Sequence, residues 1–305
     1  MISSTAPPSA ATATTAEEDS TTSFSSLHPD IIEAHILPRL DGITLAATSC
    51  SSTTLRHHSS QDHLWSKTCH STWPSTSRLS SLTPPSELIS AVDIHYQDKI
   101  FTKVRETETV TGWFRCSPFR IDLLEPKEVV PTPMKHPDGD DTCTAISNDM
   151  TLSWILIDPI RRLVVNLSSH KPITVQRHWL TGEVQVRFAS ILAADRGHVQ
   201  CGIVVTCGGS EEGEMQMREI SLEIEDMDGM HINGKESLGI LQRAMEGKKG
   251  KGETEYKKGR GGTKYLEVKK ERKERKVRTE GTLDILCVAF GVSCFVAFWS
   301  FILFR

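Results

Sequence analysis

Aromatic residues are few in this 305-residue chain, 6% in all, with three tyrosines. It lacks a strong charge of either sign: 35 Lys and Arg against 39 Asp and Glu give a formal net charge of −4. That balance offers no global case for nucleic-acid binding. Eight cysteines, at positions 50, 69, 116, 143, 201, 207, 287 and 294, form no C-x-x-C pair and match no zinc spacing. Isolated reduced thiols in a cytosolic protein are the expectation. The patterns G-x-S-x-G and H-E-x-x-H and a phosphate loop are missing, and no acid–base or nucleophile pair stands out. No catalytic residue, metal ligand or cofactor is therefore expected. Residues 1–26 have neither a basic n-region nor an apolar h-region, which argues against a secretory signal. Ile2 stands where myristoylation needs glycine. Ser, Thr, Ala and Pro dominate this stretch, beside Glu17, Glu18 and Asp19, and it reads as a disordered leader.

What is present begins at Leu27. Pro29 and Asp30 mark a helix start, because a first-turn proline lacks only an N–H that would have no partner. Ile32, Ile36 and Leu40 repeat at i, i+4, i+8, and Ile31 and Leu37 widen the stripe. Pro38 cuts this helix short. Asp41-Gly42 is a turn, Leu45-Ala46-Ala47 and Leu55 carry two further short helical patterns, and Leu64-Trp65 closes the unit.

In order, spacing and residue type, residues 27–65 resemble an F-box. The matching positions are Leu27, Pro29, Asp30, Ile31, Ile32, Ile36, Leu37, Leu40, Asp41, Leu45, Ser49, Cys50, Leu64 and Trp65. The chain departs from the family pattern at the inserted His28, at Pro38, and at Thr53 and Thr54. The resemblance implies a three-helix module that docks a Skp-type adaptor and, through it, a cullin. On that reading the contact residues are Leu27, Pro29, Asp30, Ile31, Ile32, Ile36, Leu37, Leu40, Leu45, Cys50, Leu64 and Trp65. A module this small cannot bury its whole apolar face alone.

Beyond Trp65, His57, His58, His63 and His70 with Cys69 fit no established ligand spacing. Leu88, Val92, Tyr96, Ile100 and Val104 recur at i+4, so residues 71–108 are expected to form a helical connector. From residue 109 the period changes to short β-branched runs separated by Pro, Gly, Asn or Asp. They begin at Thr109, Ser117, Leu152, Arg162, Pro172, Glu183, Val199 and Met217. Val184, Val186 and Phe188 alternate with charged or polar neighbours, as do Ile220, Leu222 and Ile224. About eight strands without intervening helices predict an antiparallel sandwich-like domain. Residues 126–142 read as a mobile loop. Asp226, Asp228 and Gly229 open like a calcium loop, but the later ligands do not follow, so a turn is expected. Cys201 and Cys207 are expected to share a strand face as buried thiols.

Residues 236–246 form an amphipathic pattern with Leu238, Leu241 and Met245 on one side. A Gly/Lys-rich linker follows, then a basic run with Lys269, Lys270, Arg272, Lys273, Arg275, Lys276 and Arg278. Residues 283–304 are apolar with only Asp284 charged, long enough to span a bilayer. The basic run flanks that span, and the positive-inside rule keeps the body in the cytosol. A tail-anchored membrane protein is the expectation.

Together these give an α+β chain: a leader over 1–26, an F-box over 27–70, a helical connector over 71–108, an antiparallel β-rich recognition domain over 109–246, a basic linker over 247–282 and one transmembrane helix over 283–304. The β-rich part and the tail look like a plant F-box subfamily with a C-terminal span. The resemblance implies a non-enzymatic substrate receptor of an SCF-type ubiquitin ligase, presenting an unknown protein substrate at a membrane. The alternative is a non-degradative membrane-anchored adaptor or a glycan- or lipid-binding scaffold.

Overall fold

Pro38 shapes the first element. It has no N–H to give to Ala34, and its ring crowds that carbonyl. In the computed structural model the chain answers by changing pitch. A single α turn, α1 (Pro29–Ile31), widens to a π turn over Ile32–Ile36 and tightens to 3-10 geometry at Leu37–Arg39. The N–H of Leu37 reaches back five residues to the carbonyl of Ile32. The structure describes residues 27–81, 87–135, 140–195, 197–209, 213–247, 270–271, 288–295, 299–300 and 303. They divide into two units, Met1–Cys69 and His70–Arg305.

The first unit continues with α2 (Gly42–Ser51), α3 (Thr53–Ser59) and all but the last three residues of α4 (Asp62–Thr72). Asp41 caps α2 by accepting from the Thr44 N–H at 2.9 Å. Ser52 ends α2 in an extended conformation and caps α3, accepting from the Leu55 N–H at 3.1 Å. Ile32, Leu37, Leu45 and Leu64 form the core, with Ile36, Leu40, Leu55 and Trp65 packed around it. A fully buried aliphatic side chain contributes roughly 1.5–3 kcal/mol. Four of them make a small core that cannot spare a member for another role.

The second unit is built on two antiparallel sheets. One has the order β2-β1-β5-β6, with β1 (Leu88–Tyr96), β2 (Lys99–Thr107), β5 (Met150–Asp158) and β6 (Leu163–Asn166). The other runs β3-β10-β9-β8-β7, with β3 (Arg120–Asp122), β7 (Thr174–Arg177), β8 (Val184–Ala194), β9 (Gly197–Gly209) and β10 (Glu214–Asp226). A further edge strand, β4 (Val130–Lys135), pairs with β10. Both sheets send side chains into one core: Val92, Ile94 and Trp154 from the first, and Phe188, Ile203 and Leu222 from the second. Trp154 is fully buried and donates its indole N–H to Ser90 Oγ at 3.1 Å, which satisfies the one polar atom of its ring. Asp93, in the middle of β1, is also fully buried. It accepts from the N–H and the hydroxyl of Ser75, at 2.8 and 2.6 Å, and so ties the 3-10 segment Pro74–Ser81 to the sheet.

The expected connector helix is a β-hairpin. Every residue from Leu88 to Tyr96 pairs with one from Thr107 back to Lys99. A repeat of four is a multiple of the strand period of two, so Leu88, Val92 and Tyr96 share one face of a strand as well as one face of a helix. Gln97, with φ of 52°, turns the hairpin. The run from Thr109 to Cys116, expected as a strand, contains helix α5 (Gly112–Cys116), because the Thr111 hydroxyl accepts from the Phe114 N–H and nucleates a helical turn. Within 126–142, expected as a loop, lie β4 and the start of α6 (Asp140–Asp149). Pro131 and Pro133 are tolerated because β4 pairs on one side only.

The expected transmembrane helix, and the membrane-anchored localisation that rested on it, are overturned. Among the described residues no helix is long and apolar enough to cross a membrane. In that region the described residues are 288–295, 299–300 and 303, and all are helical. The leader, most of the basic linker and all of the basic flank except Lys270 lie outside the described residues.

Candidate functional site

In the helical unit, burial divides the residues expected to contact an adaptor. Ile32, Leu37, Leu45 and Leu64 are 5% exposed or less and form the core. Ile36, Leu40 and Trp65 are half-buried against it. The Trp65 indole N–H donates to the Ser59 carbonyl at 2.8 Å, closing α4 onto α3. Leu27, Pro29, Asp30, Ile31 and Cys50 are exposed.

The exposed apolar surface has a pattern. On α2, Ile43, Ala46, Ala47 and Cys50 are all exposed at i, i+3, i+4 and i+7, which is one helical face. Ile43 is 67% exposed, and Ile31 at the start of the unit is 43% exposed. A helix that buries Leu45 on one side and leaves an apolar stripe on the other has a second surface without cover. Ile43, Ala46 and Ala47 are not among the expected contact residues, because the larger Leu45 dominates the apolar pattern of this helix. The i+3, i+4, i+7 spacing from Ile43 was the available signal.

A polar latch holds the unit's first element. His58 donates from Nδ1 to Glu33 Oε1 at 2.5 Å, and Gln61 Nε2 donates to the same oxygen at 2.6 Å. The hydrogen bond from His58 holds the Glu33 carboxyl below the ordinary carboxylate range. Of the histidines expected to be free of metal chemistry, His58 is thus a structural partner, and His70 Nδ1 lies 2.9 Å from Thr76 Oγ1.

In the β-rich unit, Asp226 forms a turn. Its Oδ1 accepts from the N–H groups of Asp228 and Met230 at 2.8 and 2.9 Å, with Gly229 at φ of 84°. Cys201 and Cys207 are buried on β9, and burial pushes both thiols up to about 12. Glu223, Glu225 and His231 bring ligand atoms within 4.8 Å of one another on the outer face of the six-stranded sheet. Glu223 is already bound at 2.5 Å by Arg120, whose guanidinium also bonds Glu219 and Asp122, so a cation there would have to displace an arginine.

At the end of the sheets lies α7 (Gly234–Met245), capped by Asn233, whose Oδ1 accepts from the Glu236 N–H at 2.9 Å. Its amphipathic sequence pattern buries Ile240 and Leu241. Gly234 donates its N–H to the Ser117 carbonyl at 2.9 Å, and a Cβ at Gly234 would lie 2.1 Å from the Phe114 carbonyl oxygen. Only glycine lets α5 and α7 approach this closely.

Comparison with known proteins places the chain. No family model and no solved structure matches it. A protein of Arabidopsis thaliana described as a probable F-box protein is 48% identical over 305 residues, covering 92% of this chain and 94% of the relative. Two further Arabidopsis thaliana F-box proteins are 37% and 42% identical, over 93% and 72% of this chain and 97% and 73% of their own lengths. Identity at this level across both the helical unit and the β-rich unit means that the protein belongs to the plant F-box protein family.

Proposed function

We propose that the chain is a substrate-receptor subunit of an SCF-type ubiquitin ligase, with residues 27–69 docking a Skp-type adaptor and the β-rich unit holding a protein substrate. The observation that carries this reading is the exposed apolar stripe of α2, together with the exposed Leu27 and Ile31, in a chain of the F-box family. The docking residues are then Leu27, Pro29, Ile31, Ile43, Ala46, Ala47 and Cys50. Ile32, Leu37, Leu45 and Leu64 act from beneath by holding α1 and α2 in register. The chain makes no bonds itself. It raises the effective concentration of substrate lysines near a charged conjugating enzyme.

The test is co-precipitation of a Skp-type adaptor and a cullin from plant extract by the tagged full chain. Both proteins should be retained. A chain that retains neither is not a ligase receptor, and one that retains the adaptor alone acts without a cullin.

A further inference from the structure

We infer that substrate is recognised in the cleft between α7, the 109–115 segment and the β5–β6 turn, and that the cleft takes a short peptide segment carrying carboxylates beside a bulky apolar side chain. This rests on the receptor reading above. The cleft has a volume of about 440 Å³ and lies wholly within the second unit. That is within the range of pockets that bind ligands of a few residues.

Three features decide the ligand chemistry. The first is charge. Arg115, Arg161 and Lys235 line the cleft against Glu87 and Asp158. Asp158 is committed to Arg161, whose side chain donates to it at 2.8 Å and whose backbone N–H donates at 2.9 Å. Among the described residues neither Arg115 nor Lys235 has an ion-pair partner, and Glu87 alone remains to offset them. The wall therefore keeps an excess positive charge, which a carboxylate complements.

The second is the apolar floor. Leu238, Leu241 and Met245 of α7 face the cleft with Leu88, and at its mouth Val110 and Ile160 are each 72% exposed. A small acid confined to the cleft would leave those two rim residues bare. A polypeptide running through it would cover them.

The third is Gly239. It lies in the interior of α7, where glycine destabilises a helix relative to alanine. A Cβ there would meet nothing within 4 Å, so packing does not require glycine, and its absent side chain leaves the cleft open. The contrast with Gly234 is direct: that glycine is required by the close approach of Phe114, whereas packing makes no such demand at Gly239.

The experiment uses the full chain bound to a Skp-type adaptor and follows fluorescence anisotropy. The probes are fluorescein-labelled decapeptides in which Glu or Asp flanks a Leu-Phe pair, the same peptides with Lys in place of the acids, and N-acetylglutamate as competitor. The acidic pool should bind, the lysine pool should not, and N-acetylglutamate should not compete. Arg115→Glu with Lys235→Glu should weaken the acidic pool at least tenfold and admit the lysine pool. Gly239→Trp, which places a bulky side chain at the cleft wall where a Cβ meets nothing within 4 Å, should weaken the acidic pool at least tenfold in the otherwise wild-type chain and the lysine pool at least tenfold in the charge-reversed one. Equal binding of the acidic pool to wild type and variants overturns the assignment. So does preference for the lysine pool by wild type, full competition by N-acetylglutamate, or failure of every pool while the adaptor is retained. Loss of the adaptor with peptide binding intact instead overturns the receptor reading and leaves the cleft standing.

Discussion

Glu33, in the first helical stretch, and His58, near the end of α3, meet at 2.5 Å across 25 residues of sequence. Gln61 joins them from the turn before α4. One carboxylate thus ties the irregular, proline-interrupted first element to α3 and to the turn before α4. The hydrogen bond from His58 holds that carboxyl below its ordinary value. A carboxyl depressed in the folded state contributes stability above its unfolded pKa, and that contribution is lost as the pH falls through the folded value.

The wild-type chain should therefore lose more stability than Glu33→Gln between pH 6 and pH 3, a window that starts above the ordinary carboxylate value and ends below it. Urea midpoints at both pH values, read by far-UV circular dichroism, give the comparison. Equal acid sensitivity in both proteins would show that the latch carries no linked proton.

Asp93→Ala should destabilise the second unit by about 2–3 kcal/mol, because the Ser75 N–H and hydroxyl would be left buried without an acceptor. The urea midpoint of the β-sheet signal measures this. A change below about 0.5 kcal/mol would mean that water replaces the carboxylate at no cost.

Much of this was legible in the residues, and the failures share causes. The strands β8 and β10 stand out because Val184 to Phe188 and Ile220 to Ile224 alternate with polar neighbours at an unambiguous period of two. The hairpin at 88–107 was hidden because β1 is buried on both faces and offers no alternation, which leaves only an i+4 repeat that fits helix and strand alike. Strand β4 was hidden by its prolines, whose tolerance depends on an edge position that no local pattern encodes. In the helical unit the apolar positions were legible, but not which were core. Ile32 and Ile31 are neighbours of one type, 5% and 43% exposed, and only the packing of Ile32 with Leu45 and Leu64 separates them.

Gly234→Ala should cost about 3 kcal/mol, since the new Cβ would lie 2.1 Å from a backbone carbonyl that cannot rotate away. Gly239→Ala, in open space on the same helix, should stabilise by several tenths of a kcal/mol. Thermal midpoints of the pair, moving in opposite directions, are the check.

Native alkylation with iodoacetamide at pH 8 should modify Cys50 and Cys116, which are exposed, and spare Cys201 and Cys207, whose thiols burial pushes up to about 12. Peptide mass mapping with and without urea distinguishes them. Labelling of either β9 cysteine in the native chain would show that the sandwich opens.

The central claim is that the exposed apolar residues of the helical unit, and not its core, form the adaptor contact. The direct measurement is calorimetric titration of a purified Skp-type adaptor into the full chain, its Ile31→Asp/Ile43→Asp variant, and Val164→Asp, an exposed position in the other unit. The account predicts at least tenfold weaker binding for the double variant, with an unchanged urea midpoint, and wild-type affinity for Val164→Asp. Wild-type affinity in the double variant would contradict it and move the contact elsewhere on the chain.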